Sequence, residues 1–166
     1  MKKSTKGIIA GAVIFLVILM AVFAFCLFKL FTYTKEPVAF DDFERYALEQ
    51  GYEFEDRSGQ MPEGFGKYGM ASNGDGEQEI LIFFSEYTEE KDAKKAFKEG
   101  QFQIEEEYKG NVSSHKTVNL KNFSKYEQKS GGYFAVVCRV DSTVLYSVVP
   151  DENGSELKEF IKGLGY

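Results

Sequence analysis

One glycine-rich segment of this chain has the spacing of a nucleotide-binding motif. Residues 64–69 read Gly-Phe-Gly-Lys-Tyr-Gly, which matches the GxGxxG pattern of dinucleotide sites. In such a site the glycines follow a strand and open a helix, whose N-terminus meets the pyrophosphate. Here Pro62 precedes the match, and the turn signal Asn-Gly-Asp-Gly at 73–76 follows it. Because Lys67 is followed by Tyr68, where a P-loop needs Ser or Thr for magnesium, the sequence predicts a loop between strands and no nucleotide site.

Two aromatic side chains of this loop, Phe65 and Tyr68, are the candidate contacts with a partner. Binding residues are concentrated on loops, and aromatic residues are enriched at protein interfaces. The alternative is a flexible connection between strands that has no role in binding. Burial of both rings in the core of the domain would exclude the first interpretation.

Residue types that bind metals are sparse in the sequence. His115 is the only histidine, and metal sites usually need several His, Cys or carboxylate ligands together. The serines before His115 lack the Gly-x-Ser-x-Gly surroundings of a nucleophile elbow. If Gly76 is aligned with the glycine of a calcium-binding loop, Ala71 and Ile82 fall at two of the ligand positions. Neither side chain has an oxygen atom that could bind calcium. We therefore predict no metal-binding residue and interpret His115 as an exposed residue at a strand edge.

Adjacent acidic residues occur at Asp41-Asp42 and at Glu105-Glu106-Glu107. Neighbouring residues on a helix point in different directions, so these carboxylates do not converge as an acid–base pair without help from the tertiary fold. A solvated acidic face is the simpler interpretation, and a pair assembled from distant segments remains open. The sequence therefore assigns no catalytic residue and no cofactor, and it favours a protein that is not an enzyme.

The most apolar segment is the uninterrupted run over residues 8–28, preceded by Lys2, Lys3 and Lys6. A helix needs about 20 apolar residues to cross a bilayer, whereas the core of a cleaved signal peptide has about 7 to 15. Basic residues favour the cytoplasmic side of a membrane. These features predict an uncleaved transmembrane helix over residues 8–31, in a single-pass protein of the cytoplasmic membrane whose C-terminal domain is extracytoplasmic.

Gly7 and Gly11 form one GxxxG spacing at the start of this run. Such spacing allows two helices to approach closely in a membrane, so these glycines are candidates for helix association. The alternative is that they have no such role, because glycine is common in membrane helices.

The remainder of the chain is acidic. From residue 32 onward, 26 Asp and Glu oppose 16 Lys and Arg, because four of the 20 basic residues come earlier, and the formal charge is −10. This charge repels nucleic acid and fits a cationic partner or simple solubility. Cys138 is the only cysteine of this part, so we predict that its thiol packs as a small apolar residue. The lack of a disulfide suits a bacterial surface better than a eukaryotic secretory route.

Periodicity and turn signals give the order of elements after the apolar run. A capping box at Asp41 and Glu44 begins a helix, and the turn signals between apolar segments indicate antiparallel strands. The predicted class is α+β, in the order α-βββ-α-βββ-α, with the helices packed on one face of an antiparallel sheet. One strand of the second block is bent or bulged and is formed by residues 115–120 and 123–128. The predicted segments are a cytoplasmic basic segment 1–7, the transmembrane helix 8–31, a linker 32–39 and the extracytoplasmic domain 40–166.

The long helix after residue 88 has the clearest periodicity in the domain. Its apolar residues recur at intervals of three and four, which places them on one inward face. Gly100 is expected to loosen the middle of this helix. The inward face contains Ala93, Phe97, Gly100, Ile104 and Tyr108.

Three stretches of the chain resemble a group of known proteins. They are residues 89–97 at the start of the long helix, residues 132–146 as a hairpin, and residues 163–166 at the end of the last helix. The chain is similar in these patterns to short single-pass membrane-anchored proteins of unknown function from Gram-positive anaerobic bacteria. The resemblance implies location and general architecture, and it implies no activity and no site residue.

These observations favour a non-catalytic binding or interaction module at the bacterial cell envelope. The expected partners are the membrane, through the anchor helix, and an envelope protein or a cationic molecule. One alternative is a membrane-tethered hydrolase that uses carboxylates, and another is a structural subunit of a membrane complex. The sequence leaves the ligand, the oligomeric state and the physiological process open.

Overall fold

The computed structural model describes residues 4–32, 34–61, 65–74, 76 and 79–166, and within the first helix the side chains of residues 15–29. The chain forms two compact units, Met1–Tyr33 and Thr34–Tyr166. The helix of the first unit is α1 (Ser4–Thr32). Gly7 and Gly11 lie in the part of α1 whose side-chain surroundings are outside the described residues. Helix association through these two glycines therefore stays a prediction.

Within the described residues, no helix is long and apolar enough to cross a membrane. This finding contradicts the predictions of a transmembrane helix over 8–31, of a single-pass membrane protein and of an extracytoplasmic domain at the cytoplasmic membrane.

The second unit is built on an antiparallel sheet, whose described strands lie in the order β1-β2-β3-β7-β6-β5-β4. These strands are β1 (Glu53–Asp56), β2 (Lys67–Asn73), β3 (Ile80–Glu86), β4 (Val112–Asn119), β5 (Phe123–Ser130), β6 (Tyr133–Val140) and β7 (Thr143–Pro150). The helices of this unit are α2 (Phe40–Glu49), α3 (Glu90–Glu107) and α4 (Gly154–Gly163). Short turns join β4 to β7 in a meander, and the pairing of β3 with β7 connects this meander to β1 and β2.

The predicted order α-βββ-α-βββ-α is wrong because the second block has four strands. The stretches 115–120 and 123–128 were predicted as one bent or bulged strand, but they belong to two strands, β4 and β5, which pair with each other. The turn between them contains neither Gly nor Pro, the strongest turn signals in a sequence. A tertiary contact holds it instead, since Asn122 Nδ2 donates to the carbonyl of Lys35 at 2.7 Å and to Asp141 Oδ2 at 3.0 Å.

The prediction that the helices pack on one face of the sheet is also wrong. α2 and α4 cover one face, where they form the larger cluster of buried residues with Val136 and Cys138 of β6. α3 covers the other face, where it packs against Ala135 and Val137 of the same strand. Because seven of the eight residues of β6 are buried and successive side chains alternate between faces, this strand needs cover on both sides.

The predicted capping box of α2 is not formed. Ala39 is the N-cap residue and makes no side-chain hydrogen bond, and Asp41 lies in the first turn. The backbone N–H of Phe40 instead donates to Glu86 Oε2 of β3 at 3.0 Å. A carboxylate at this end of a helix is also favoured by the helix dipole. The cap is therefore supplied from a distant strand, which local spacing cannot indicate.

Gly69 of the glycine-rich segment lies inside β2. A Cβ atom at this position would lie 2.7 Å from Cζ of Phe54 and 3.0 Å from Cε2 of Phe40. Both distances are shorter than ordinary van der Waals contact, about 3.5 to 4.0 Å between carbon atoms. The missing side chain thus makes room for two aromatic rings under α2, and packing explains the last glycine of the GxGxxG match.

Cys138 is expected to be unreactive in the folded protein. It is fully buried in the larger cluster, as predicted, and this burial raises the pKa of the thiol to about 12. Because the thiolate is the reactive form, raising the pH from 7 to 9 should not make Cys138 react with Ellman's reagent. Cys26 is exposed, so we expect labelling there in the native protein and labelling of Cys138 only in denaturant. Peptide mapping of the labelled chain measures this, and native labelling of Cys138 within minutes would contradict it.

Candidate functional site

The face of the sheet that carries α3 is only partly covered. α3 packs on β5, β6 and β7, whereas residues of β2 and β3 on the same face are half-buried. A cavity of about 350 Å³ lies between α3 and the part of this face that the helix does not cover. It is lined by Tyr68, Phe83, Ser85, Tyr87, Ala96, Glu99, Gly100, Gln103, Val137, Val144 and Tyr146. We call it the α3 cavity.

The pleat of the sheet explains which side chains line the floor of the α3 cavity. Phe83 of β3 pairs with Tyr146 of β7, and Tyr146 pairs with Val137 of β6. Residues directly opposite each other on paired strands point to the same face, so these three side chains form one row across the sheet. Tyr68 is a diagonal neighbour of Phe83, and their rings are parallel with centroids 6.3 Å apart.

The wall of the α3 cavity comes from the helix itself. Ala96, Gly100 and Gln103 follow one another at intervals of four and three residues, which places them on one side of α3. A Cβ atom on Gly100 would lie 3.2 Å from Cγ2 of Val137 and 3.4 Å from Cδ2 of Tyr146. Gly100 therefore lets the helix backbone lie close to the sheet. The expectation that it loosens the helix is not what the structure shows, since α3 continues through it.

Of the two aromatic residues predicted as partner contacts, Tyr68 lines this cavity and Phe65 packs on one of its lining residues. Tyr68 is one of its lining residues. The ring of Phe65 packs on Tyr87, another lining residue, with centroids 4.7 Å apart. Both Phe65 and Tyr68 are half-buried, and neither belongs to the buried residues of the two core clusters. Burial in the core therefore does not exclude them, and their contact with a partner stays a prediction.

The polar groups of the α3 cavity include neutral tyrosine hydroxyls and one carboxylate, that of Glu99. Burial raises the pKa of Tyr146 to about 12, and burial raises the pKa of Tyr87, with a smaller contribution from the nearby Glu99. Both phenols are therefore neutral at physiological pH. Glu99 is exposed at the rim, and its Oε1 lies 3.6 Å from Nζ of Lys95. Among the described lining residues, Glu99 is the one with a charged side chain.

The carboxylates with shifted pKa values do not form an acid–base pair. Hydrogen bonds from Ser58 lower the pKa of Asp56, and a hydrogen bond from Lys94 lowers the pKa of Glu90. A general acid at neutral pH needs the opposite shift. Over the described residues, no group of three or more His, Cys, Asp and Glu is placed to hold a metal ion.

His115 lies on β4, exposed, beside a second cavity of about 250 Å³. The charged side chains of this second cavity are mainly basic, including Lys116, Lys129 and Lys158. Nζ of Lys129 is paired with Asp151 Oδ1 at 2.6 Å, and Nζ of Lys158 lies 4.5 Å from the centre of the Phe134 ring. Two of these three lysines already have partners, so this cavity is the weaker candidate for a ligand site.

The fold and the cavity together define a domain with helices on both faces of an antiparallel sheet and an aromatic cleft beside one helix. No model of a known protein family matches the chain, and no curated protein matches it. A crystal structure of a GTP binding regulator from Thermotoga maritima is similar, with a TM-score of 0.47 and 16% identity over 76% of this chain and 84% of that chain. A likeness of this size carries no inference about fold or function.

Sequence reasoning found Tyr68 but missed most of the cavity. Phe83 belongs to the segment predicted as a buried strand, and Tyr146 to a predicted hairpin strand. Their hydrophobicity indicates a strand and says nothing about which strands a helix leaves uncovered. Glu99 is a charged residue of the kind found at most exposed helix positions, so its residue type did not indicate a site. A signal was present only in the small residues Ala96 and Gly100, whose spacing marks the side of α3 that approaches the sheet.

Proposed function

We propose that this protein is a non-catalytic binding module whose ligand site is the α3 cavity. The observation that carries the proposal is the lining: four aromatic rings and several aliphatic groups line an open cleft of about 350 Å³, together with the polar side chains of Ser85, Glu99 and Gln103. Ligand sites in proteins are typically clefts of about 300 to 1,000 Å³ with this composition. The ligand would insert an apolar or aromatic group between α3 and β3.

The rigid surroundings support this assignment. The floor belongs to central strands of the sheet, and Val137 and Val144 are buried there. Phe65, on the segment before β2, packs on the lining residue Tyr87 with ring centroids 4.7 Å apart. Binding residues are commonly positioned by a rigid scaffold in this way. The lowered pKa values of Asp56 and Glu90 give no support to the alternative of a carboxylate hydrolase.

Filling the α3 cavity should abolish binding of an apolar probe. The full-length chain is titrated with the neutral dye N-phenyl-1-naphthylamine, whose fluorescence rises in apolar surroundings. Ala96→Phe places a ring where the cavity is now open, so we expect Kd to rise at least about tenfold, which corresponds to about 1.4 kcal/mol. The matched control is Lys98→Phe, which adds the same side chain to the exposed side of the same helix.

The controls separate loss of the cavity from loss of the fold. Both variants are checked by thermal unfolding, and only variants with a cooperative transition are compared. Saturable dye binding that Ala96→Phe weakens and Lys98→Phe preserves would support the proposal. Equal binding by all three proteins, or no saturable binding by the unchanged protein, would refute a ligand site in this cavity.

A further inference from the structure

We infer that the ligand of the α3 cavity carries an organic cation, such as an alkylated ammonium group, which the aromatic rings surround while Glu99 faces its charge. This inference rests on the proposed function, because it presumes that the cavity is a ligand site. It narrows the cationic partner expected from the acidic composition to an organic cation, and it gives that cation a site.

The first argument is the number of aromatic rings. Tyr68, Phe83, Tyr87 and Tyr146 contribute to one cavity, on three neighbouring strands and the segment that follows β3. The face of an aromatic ring carries partial negative charge and attracts a cation whose centre lies within about 6 Å. Several rings around one small space form the cage that recognises quaternary ammonium groups in proteins. A neutral apolar ligand would be held as well by aliphatic side chains.

The second argument is the charge at the rim. Among the described lining residues there is no Lys or Arg, and Glu99 supplies a negative charge. An anionic ligand would therefore meet a carboxylate with no compensating cation, which disfavours it. The wider field has the same sign, because residues 32–166 carry a formal charge of −10. Such a field raises the local concentration of cations.

One cation already lies near Glu99. Nζ of Lys95 is 3.6 Å from its carboxylate, and the side chains are 76% and 67% exposed. Exposed pairs of this kind contribute little to stability, because water screens them and the two long side chains lose freedom when they pair. The order along the helix, with the lysine four residues before the glutamate, is also the less favourable one. A cation held by the rings can therefore displace Lys95 from Glu99 at little cost.

The same chain already places ammonium groups over aromatic rings elsewhere. Nζ of Lys35 lies 4.3 Å from the centre of the Phe123 ring, and Nζ of Lys67 lies 5.1 Å from that of Phe40. In both contacts a lysine of the chain itself lies over the aromatic ring. The rings of the α3 cavity have no lysine among their described lining residues, so an external cation is the group that fits them.

The test compares two ligands of equal shape. Benzyltrimethylammonium and its neutral isostere neopentylbenzene are each used to displace the bound dye from the full-length chain at low ionic strength. We expect the cation to bind about tenfold more tightly than the isostere, consistent with about 1.4 kcal/mol from cation–π and ionic attraction. Glu99→Gln should weaken the cation about threefold to tenfold and leave the neutral isostere unchanged.

A control variant removes a charge of the same sign from the same helix. Glu106 on α3 lies outside the cavity lining and pairs with Lys109 at 3.2 Å, so Glu106→Gln should leave the preference for the cation intact. If the dye binds and Ala96→Phe blocks it, but both ligands compete equally, the proposed function stands and the cation inference fails. An unchanged preference in Glu99→Gln would likewise overturn the inference. Absence of saturable dye binding would refute the proposed function itself.

Discussion

Replacing Phe43 with alanine is expected to lower the free energy of unfolding by about 4 kcal/mol, the middle of the range for large-to-small changes of buried aromatic residues. Phe43 of α2 is fully buried. Its ring stacks on Phe84 of β3 with centroids 4.5 Å apart and planes 11° from parallel. It also makes T-shaped contacts with the rings of Phe54 and Phe160, with centroids 5.9 Å and 6.3 Å apart. Truncation therefore leaves a void at the point where α2, α4 and the sheet meet.

Urea unfolding of the full-length chain, followed by circular dichroism, measures this loss. The matched control is Phe102→Ala on α3, because the side chain of Phe102 is 64% exposed. Surface substitutions usually change stability by less than about 0.5 kcal/mol. Phe43→Leu keeps most of the volume and should cost less than about 1.5 kcal/mol. Similar losses for Phe43→Ala and Phe102→Ala would show that the aromatic cluster is not the core of the domain.

Features that depend on local periodicity could be predicted from the sequence. The inward face of α3 was predicted at five positions, and four of them, Ala93, Phe97, Gly100 and Ile104, are buried. The fifth, Tyr108, is half-buried and is the C-cap residue beyond the end of the helix. A helix of 18 residues contains several repeats of its apolar pattern, so the pattern is hard to mistake. The burial of Cys138 also followed from the sequence, because a lone cysteine within an apolar strand has few alternatives.

Features that depend on distant contacts could not be predicted in this way. The turn between β4 and β5 is held by Asn122 against Lys35, 87 residues away in sequence. The cap of α2 comes from Glu86, 46 residues away. The placement of α3 opposite α2 and α4 depends on which face of β6 each helix covers, and both faces of that strand are apolar. Local patterns do not contain this information.

The set of residues that line the α3 cavity also depends on contacts between distant parts of the chain. Phe83 and Tyr146 are apolar strand residues like their neighbours, and they line a cavity because one helix cannot cover the whole face of the sheet. Tyr68 was predicted for another reason, as an aromatic residue next to glycines. The sequence therefore indicated one residue of the site, and the position of α3 determined the others.

Replacing Gly69 with alanine is expected to lower the free energy of unfolding by about 2 kcal/mol, a typical cost for adding a methyl group to a well-packed core. The new Cβ would overlap the ring of Phe54, at 2.7 Å from its Cζ atom, and would press on Phe40. Gly69 pairs with Asp56 of β1 and Phe84 of β3, so the backbone is held from both sides and cannot move away. The ring of Phe54 must therefore shift.

A double-mutant cycle tests whether this overlap is the cause. Phe54→Leu removes the atoms that the new methyl group would meet, so the loss in Gly69→Ala/Phe54→Leu should be smaller than the sum of the single losses by about 1 kcal/mol, within the range for residues in contact. Gly59→Ala is the control, because a Cβ there meets no atom within 4 Å. Strict additivity would contradict the packing explanation. Coupling between these residues would assign the last glycine of the GxGxxG match to the core of this domain, since a glycine that approaches a phosphate has no reason to depend on Phe54.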